Sequence, residues 1–266
     1  MNQKNFEYLR DQVKYTGFGE GLENSLKEKL NGQTPEFTLN HTAQYSNDIA
    51  TSTLYFSKSK QSDMYFFNSY RVSLKRENVP DSLEQTFYIN KGNNITLKEA
   101  YNLMYGRAVN KDLTNKEGQI YNAWIQMDFN QADNNGNYKL KQFHQNYGYD
   151  LESVLAKYPI KEMANDDYKS NLLDSLKKGN RQSVTFVRDG AEQKNYIEAN
   201  PRFKTINIYD SNMRRLSNRQ SKAEKHAEGE SRSVKQDAKK ESQSNDDDNS
   251  DVPRETKKKR KRQSVT

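Results

Sequence analysis

Apolar residues recur at helical spacing near the start of the chain and in later stretches, and between those stretches they alternate with polar ones. Phe6, Leu9 and Val13 fall three and four apart, and Leu22, Leu26 and Leu30 every four, which predicts two short amphipathic helices separated by Gly17, Gly19 and Gly21. Beyond Pro35 the period changes to two, with β-branched and aromatic residues, so 37–45, 49–57, 64–75 and 86–90 are predicted as strands of an antiparallel sheet. A helix pair followed by a meander is an α+β unit, placed at residues 1–92.

The second half carries one order of elements twice. Leu97, Ala100, Leu103 and Met104 form a stripe ending at Gly106, followed by predicted strands at 107–113, 121–129 and 138–143, with a Glu117-Gly118 turn between the first two. Leu172, Leu173 and Leu176 form a second stripe ending at Gly179, followed by strands at 183–188, 192–198 and 205–210 with an Asp189-Gly190 turn. The step from helix-ending glycine to turn glycine is 12 residues in the first copy and 11 in the second, and Trp124 and Tyr196 each stand six residues past the turn glycine. Glycine suits a left-handed helix exit and acidic-Gly a tight hairpin. Two αβββ-like helix–hairpin repeat units are therefore expected over 93–216. A helix at 151–158, broken at Pro159, is expected between them.

Composition changes this picture at the C-terminal end. The apolar fraction is only 32%, yet 17 Tyr and 11 Phe, all before residue 217, supply amphipathic surface for a core. Residues 217–266 contain no Leu, Ile, Met, Phe, Tyr or Trp and so cannot offset the entropy of ordering; they are expected to form a disordered, charged tail. The chain has no cysteine, which removes disulfides, thiolate metal sites and thiol nucleophiles. MNQKNFEYLRDQVKY has no apolar signal core, and no stretch approaches the roughly 20 apolar residues that span a bilayer, so a cytoplasmic protein without membrane contact is expected.

The net charge of +7 is unevenly spread: the tail holds 14 Lys/Arg against 10 Asp/Glu, and the body 29 against 26. Only local patches therefore argue for a polyanionic partner. In the tail, Asp246-Asp247-Asp248 and Asp251 precede Lys257, Lys258, Lys259, Arg260, Lys261 and Arg262, six cations that can condense onto phosphates unless the acidic block masks them. In the body, strict alternation along 65–76 puts Phe66, Tyr70, Val72 and Leu74 on one face and Tyr65, Phe67, Arg71 and Lys75 on the other. The second set has the composition of a platform on which single-stranded bases stack while cations hold the backbone. Aromatics and long cations are also ordinary on a half-exposed strand.

Other motifs carry less. Gly17-Phe18-Gly19-Glu20-Gly21 lacks the sixth glycine and preceding strand of a phosphate loop and reads as a linker. The loop 131–142 laid on a calcium template puts Gln131 and Gln142 where carboxylates are needed, so a hairpin is expected. Three histidines, at 41, 144 and 226, are not at ligand spacing, and Asp166-Asp167 suits a helix N-terminus. No catalytic motif is present, and no enzyme activity, metal or cofactor is expected. The pentapeptide Arg181–Thr185 recurs as Arg262–Thr266, for which the sequence offers no physical reason.

The stretches KEAYNLMYGRAVNKDLTNKEGQIYNAWIQMDF, NGNYKLKQFHQNYGYDLE and SVTFVRDGAEQKNYIEANPRFKTINIYDSNMRR resemble a Bacteroidetes family with domains of unknown function, encoded on conjugative transposons and related mobile elements. The resemblance covers about 1–216 and brings no catalytic or ligand residues. It implies a bacterial cytoplasm and neighbours that transfer or process DNA. The expected function is thus a non-enzymatic accessory protein of a mobile element with a basic tail on nucleic acid. The expected partners are DNA or RNA and a DNA-processing protein of the same element. The alternative is a protein-binding adaptor with no direct nucleic-acid contact.

Overall fold

Apolar spacing is realised first in α1 (Gln3–Val13) and α2 (Glu23–Asn31), which bury Phe6, Leu9 and Val13 and Leu26 and Leu30 respectively. The computed structural model describes residues 1–90 and 94–216, so the expectations placed on 217–266, including the six cations at 257–262, fall outside the described residues. Between the helices, a π-helical turn at Lys14–Phe18 leads into positive φ angles of 100° at Gly17 and 69° at Gly19, a backbone that a side chain would resist. Glu20 pairs with Lys14 at 2.6 Å, in keeping with a linker.

Four strands, β1 (Glu36–Tyr45), β2 (Asp48–Lys58), β3 (Tyr65–Lys75) and β4 (Leu83–Tyr88), form an antiparallel sheet in sequential order. Asn5 ties α1 to this sheet. Its amide donates to the Tyr65 carbonyl at 3.0 Å and accepts from the Tyr65 N–H at 2.7 Å, so a buried polar side chain is fully engaged.

The alternation expected along β3 is broken. Tyr55 of β2 pairs with Ser69 but Phe56 pairs with Phe67, so Asn68 is an extra residue on β3 and the strand bulges there. One inserted residue exchanges the faces of everything before it. Tyr65 and Phe67 consequently join Tyr70, Val72 and Leu74 in the core, while Phe66 is half exposed beside solvent-facing Arg71 and Lys75. The expected grouping of Tyr65 and Phe67 with the two cations is thereby corrected. Phe67 instead stacks on Phe56 with centroids 4.9 Å apart.

After this sheet come α3 (Leu97–Met104), β5 (Val109–Thr114), β6 (Ile120–Ala132) and β7 (Tyr138–His144). They are followed by α4 (Leu151–Leu155), α5 (Asp166–Lys177), β8 (Gln182–Arg188), β9 (Ala191–Asn200) and β10 (Thr205–Tyr209). The strands form two further antiparallel sheets, β5-β6-β7 and β8-β9-β10, which makes the described residues an α+β structure with five α-helices and three sheets. None of these helices is long and apolar enough to cross a membrane.

Two apolar clusters fill the structure. The first joins α1, α2 and the four-stranded sheet to Leu97, Ala100, Leu103, Met104, Val109, Ile125 and Met127, so it runs straight through the boundary expected at 92/93. The second gathers Ala108 and Trp124 with α4, α5 and the β8-β9-β10 sheet. The sheet β5-β6-β7 thus contributes apolar residues to both clusters. The four-stranded sheet reaches it by side chains as well: the Tyr138 N–H donates to Gln85 at 2.8 Å and the Thr86 N–H to Asn137 at 2.8 Å.

Candidate functional site

A complete capping box starts α3, with Thr96 accepting from the Glu99 N–H and Glu99 reaching back to the Thr96 N–H at 2.8 Å. While the apolar stripe of α3 enters the core, Lys98, Tyr101, Asn102 and Tyr105, spaced i, i+3, i+4 and i+7, share its other side. Gly106 then turns the chain with φ 76°, and Arg107 follows directly. At the exit of α5, Gly179 has φ 78° and is followed by Asn180 and Arg181. The two exits interlock: the Asn102 amide donates to the Lys178 carbonyl at 2.7 Å and to Asn180 at 2.9 Å. A cleft of about 630 Å³ opens over this junction, completed by the β1–β2 turn at Ser46, Asn47 and Asp48 and by Glu77, Gln182, Tyr196 and Met213.

Asp48 anchors one wall. It is buried, and its carboxylate accepts from the Tyr105 hydroxyl at 2.6 Å, the Tyr101 hydroxyl at 2.9 Å and the Glu77 N–H at 2.9 Å. Burial works to raise its pKa, but these hydrogen bonds and the charge of Arg76 together outweigh burial and hold the carboxyl below its ordinary range. Burial and the bond to Asp48 push both tyrosine hydroxyls up, so they remain protonated donors at neutral pH.

Three cations line the cleft. Lys98 places its ammonium 4.3 Å from the Tyr45 ring centroid and 4.6 Å from that of Tyr101, with no carboxylate in ion-pair range among the described residues. Burial and repulsion from Arg107 both lower its pKa. Arg107 lies over the rings of Tyr101 and Tyr105, at 5.2 and 4.9 Å, and donates to Asn102 Oδ1 at 2.7 Å. Its side chain is 10% exposed and its buried Nε has no hydrogen-bond partner among the described residues. Arg181 covers the Tyr209 ring at 4.2 Å. Arg107 and Arg181 reach the same oxygen of Glu198, at 3.9 and 2.7 Å, so one carboxylate serves two guanidinium groups.

The residues singled out in the sequence lie elsewhere. Arg71 pairs with Glu84 on the outer face of the four-stranded sheet, and Lys75 donates to the Pro80 carbonyl. Tyr65 and Phe67 are core residues on the opposite face. In the hairpin between β6 and β7, Asp133 accepts from the Asn135 and Asn137 N–H groups, each at 2.9 Å, which is turn chemistry. Among the described residues no group of three or more His, Asp or Glu could hold a metal ion.

Sequence reasoning passed over Asp48, Lys98, Tyr101, Tyr105, Arg107 and Arg181. Two signals were nevertheless present: the polar i, i+3, i+4, i+7 stripe of α3, and an arginine within two residues of each helix-ending glycine. No protein-family model, curated protein or solved structure matches the chain.

Proposed function

We propose that the chain is a non-enzymatic accessory protein of a mobile genetic element that associates with nucleic acid through the cleft over α3 and through Lys257–Arg262. The observation that carries this reading is the convergence of Lys98, Arg107 and Arg181 on one cleft, where Glu198 is the only carboxylate they pair with among the described residues. Cations held on tyrosine rings keep charge available for phosphate oxygens, and the partly engaged amides of Asn180 and Gln182 add neutral hydrogen-bonding groups. Asp48, saturated by three donors, is a support for the tyrosines rather than a general base. The setting is the bacterial cytoplasm, with a DNA-processing protein of the same element as the protein partner. The same proposal treats α3 with β5-β6-β7 and α5 with β8-β9-β10 as two copies of one αβββ unit, whose helix exits face each other across the junction that floors the cleft.

A protein-binding adaptor is the second reading, favoured by Ile49, Tyr55, Phe66 and Tyr88, which are exposed apolar or aromatic residues on the strands of the first sheet.

Fluorescence anisotropy with single- and double-stranded DNA and with RNA, over a salt series, tests the nucleic-acid reading. The full chain is compared with the full chain in which residues 257–262 are all Gln. The six tail cations alone should contribute about −4 to −5 to the slope of log affinity on log salt, so the intact protein should be at least that steep, and the substituted protein should retain weaker binding with the shallower slope of the cleft. Absence of binding to every probe at low salt leaves the adaptor.

A further inference from the structure

We propose that the cleft over α3 is a nucleotide-phosphate site, in which Lys98, Arg107 and Arg181 hold a terminal phosphate and the amide-lined side towards Tyr196 and Met213 takes the nucleoside. The inference deepens the nucleic-acid reading by naming the chemical group the cleft recognises.

Three observations lead there. The cavity, about 630 Å³, falls within the several hundred Å³ typical of small-ligand sites and is far too small for a duplex. The three cations are linked in a chain: Lys98 and Arg107 share the Tyr101 ring, and Arg107 and Arg181 share one Glu198 oxygen. They thus surround a single region of the cleft instead of tracking a strand. A terminal phosphate carries roughly −1.5 to −2 charges and three acceptor oxygens, against the single charge of a backbone diester, so it suits three converging donors better. Among the described residues, the buried Nε of Arg107 has no acceptor, although its Nη2 donates to Asn102, and Lys98 lies on two rings with no carboxylate in ion-pair range. Burial first, and then repulsion from Arg107, lower the pKa of Lys98, as fits a cation with no neighbouring anion among the described residues.

The polar groups beyond the cations suit a nucleoside. Asn180 and Gln182, each with one amide N–H already on Ser175 Oγ, keep the rest of their amide groups for base edges or sugar hydroxyls, and Tyr196 and Met213 supply a ring and a polarisable thioether; Asn102 is taken up by Lys178, Asn180 and Arg107. Asp48 stays engaged with Tyr101 and Tyr105, so the site keeps a fixed wall whether filled or empty.

The phosphate can come from a free nucleotide or from the 5′ end of a strand. The full chain is titrated, by calorimetry at physiological salt, with a deoxynucleoside 5′-monophosphate, a short single strand carrying a 5′-phosphate, and the same strand ending in a 5′-hydroxyl. Lys98→Gln is the first variant, since among the described residues Lys98 makes no hydrogen bond or ion pair whose loss would unfold the protein; Arg181→Gln is the second. The expected result is that both phosphorylated probes bind, that the 5′-hydroxyl strand binds at least tenfold more weakly, and that Lys98→Gln weakens the phosphorylated probes about tenfold with thermal stability unchanged. A monophosphate as tight as the phosphorylated strand assigns the site to free nucleotides; a strand tenfold tighter assigns it to strand ends. Monophosphate binding without any strand binding keeps this inference and takes the cleft out of the nucleic-acid reading, whose remaining part is tested by the low-salt series. Equal binding of the two strands, indifferent to Lys98→Gln and Arg181→Gln, overturns the inference and leaves that reading standing. No binding of any probe overturns the inference, and the nucleic-acid reading is then decided by the low-salt series with duplex, single strand and RNA.

Discussion

The outer face of β3 and the cleft over α3 draw on the same residue types, tyrosine or phenylalanine with lysine or arginine, and use them in opposite ways. On β3 the bulge at Asn68 sends Tyr65 and Phe67 inward while Arg71 and Lys75 face out, so rings and cations are divided between the two faces of one sheet. In the cleft, Lys98, Arg107 and Arg181 each lie on a tyrosine ring, the cations coming from α3, its exit and the approach to β8. Proximity in sequence placed the first set together on paper; only the fold assembles the second.

The largest expected effect tests that division directly. Phe67→Ala removes a buried ring stacked on Phe56 and should cost about 3–5 kcal/mol, whereas Phe66→Ala, one residue earlier and half exposed, should cost below about 1 kcal/mol. Chemical denaturation of both variants measures this. Were the strand a regular alternation with Phe67 on the solvent side, the two costs would be reversed.

Asp48 comes next. Asp48→Ala leaves the buried Tyr101 hydroxyl, the part-buried Tyr105 hydroxyl and the Glu77 N–H without their acceptor and should destabilise the protein by about 3 kcal/mol. Because the folded carboxyl is held below its ordinary value, its contribution is fully present above the unfolded pKa, near about 3.9, and disappears as pH falls through the folded value. The gap in melting temperature between wild type and Asp48→Asn should therefore be constant at neutral pH and narrow only below about pH 4. A gap that closes on the alkaline side would place the titrating group elsewhere.

Most of the element order was legible in the sequence because each element is a local pattern. Helix spacing in Phe6, Leu9 and Val13, alternation along β1 and β2, and acidic-Gly turns such as Asp189-Gly190 all act over a few residues. The face of Phe67 was not legible, because an extra residue in a strand leaves alternation intact on either side and shows only as a change of phase. The cleft was not legible either, since Asp48, Lys98, Arg107 and Arg181 meet only when three sheets and two helix exits pack. The glycines marking those exits were visible, yet their role in bringing the two helix exits together depends on contacts between distant segments.

Gly179 measures that role. A Cβ there would lie 2.9 Å from Val109 Cγ2 and 3.0 Å from the Ala108 carbonyl and Asn102 Cβ, on a backbone with φ 78°. Gly179→Ala should cost about 2 kcal/mol or more, combining conformational strain with collision at the junction beneath the cleft. Gly190 has a similar φ of 76° but nothing within 4 Å of a built Cβ, so Gly190→Ala reports the strain alone, at about 1 kcal/mol. Equal costs at the two sites would mean that the packing of the α5 exit on Ala108 and Val109 contributes little.

The smallest stability effect belongs to the cations first favoured by the sequence. Arg71 and Glu84 are each about half exposed, so their ion pair is solvated and Arg71→Ala should change stability by less than about 1 kcal/mol. Lys75 binds a carbonyl on the same open surface and should behave alike. Their consequence for nucleic acid is the sharper comparison. With Tyr65 and Phe67 buried behind the sheet, the pair can offer only two screened charges, and the double variant Arg71→Ala/Lys75→Ala should lower single-strand DNA affinity only to the extent of its phosphate contacts, flattening the salt slope by at most about 1.4. Lys98→Gln removes one charge and should weaken binding through the loss of a specific contact even where salt has suppressed the rest. If the β3 pair proves the more damaging at physiological salt, the outer face of the sheet is the binding surface, and the rings that matter there are Phe66, Tyr55 and Tyr88, which the bulge and the alternation leave exposed.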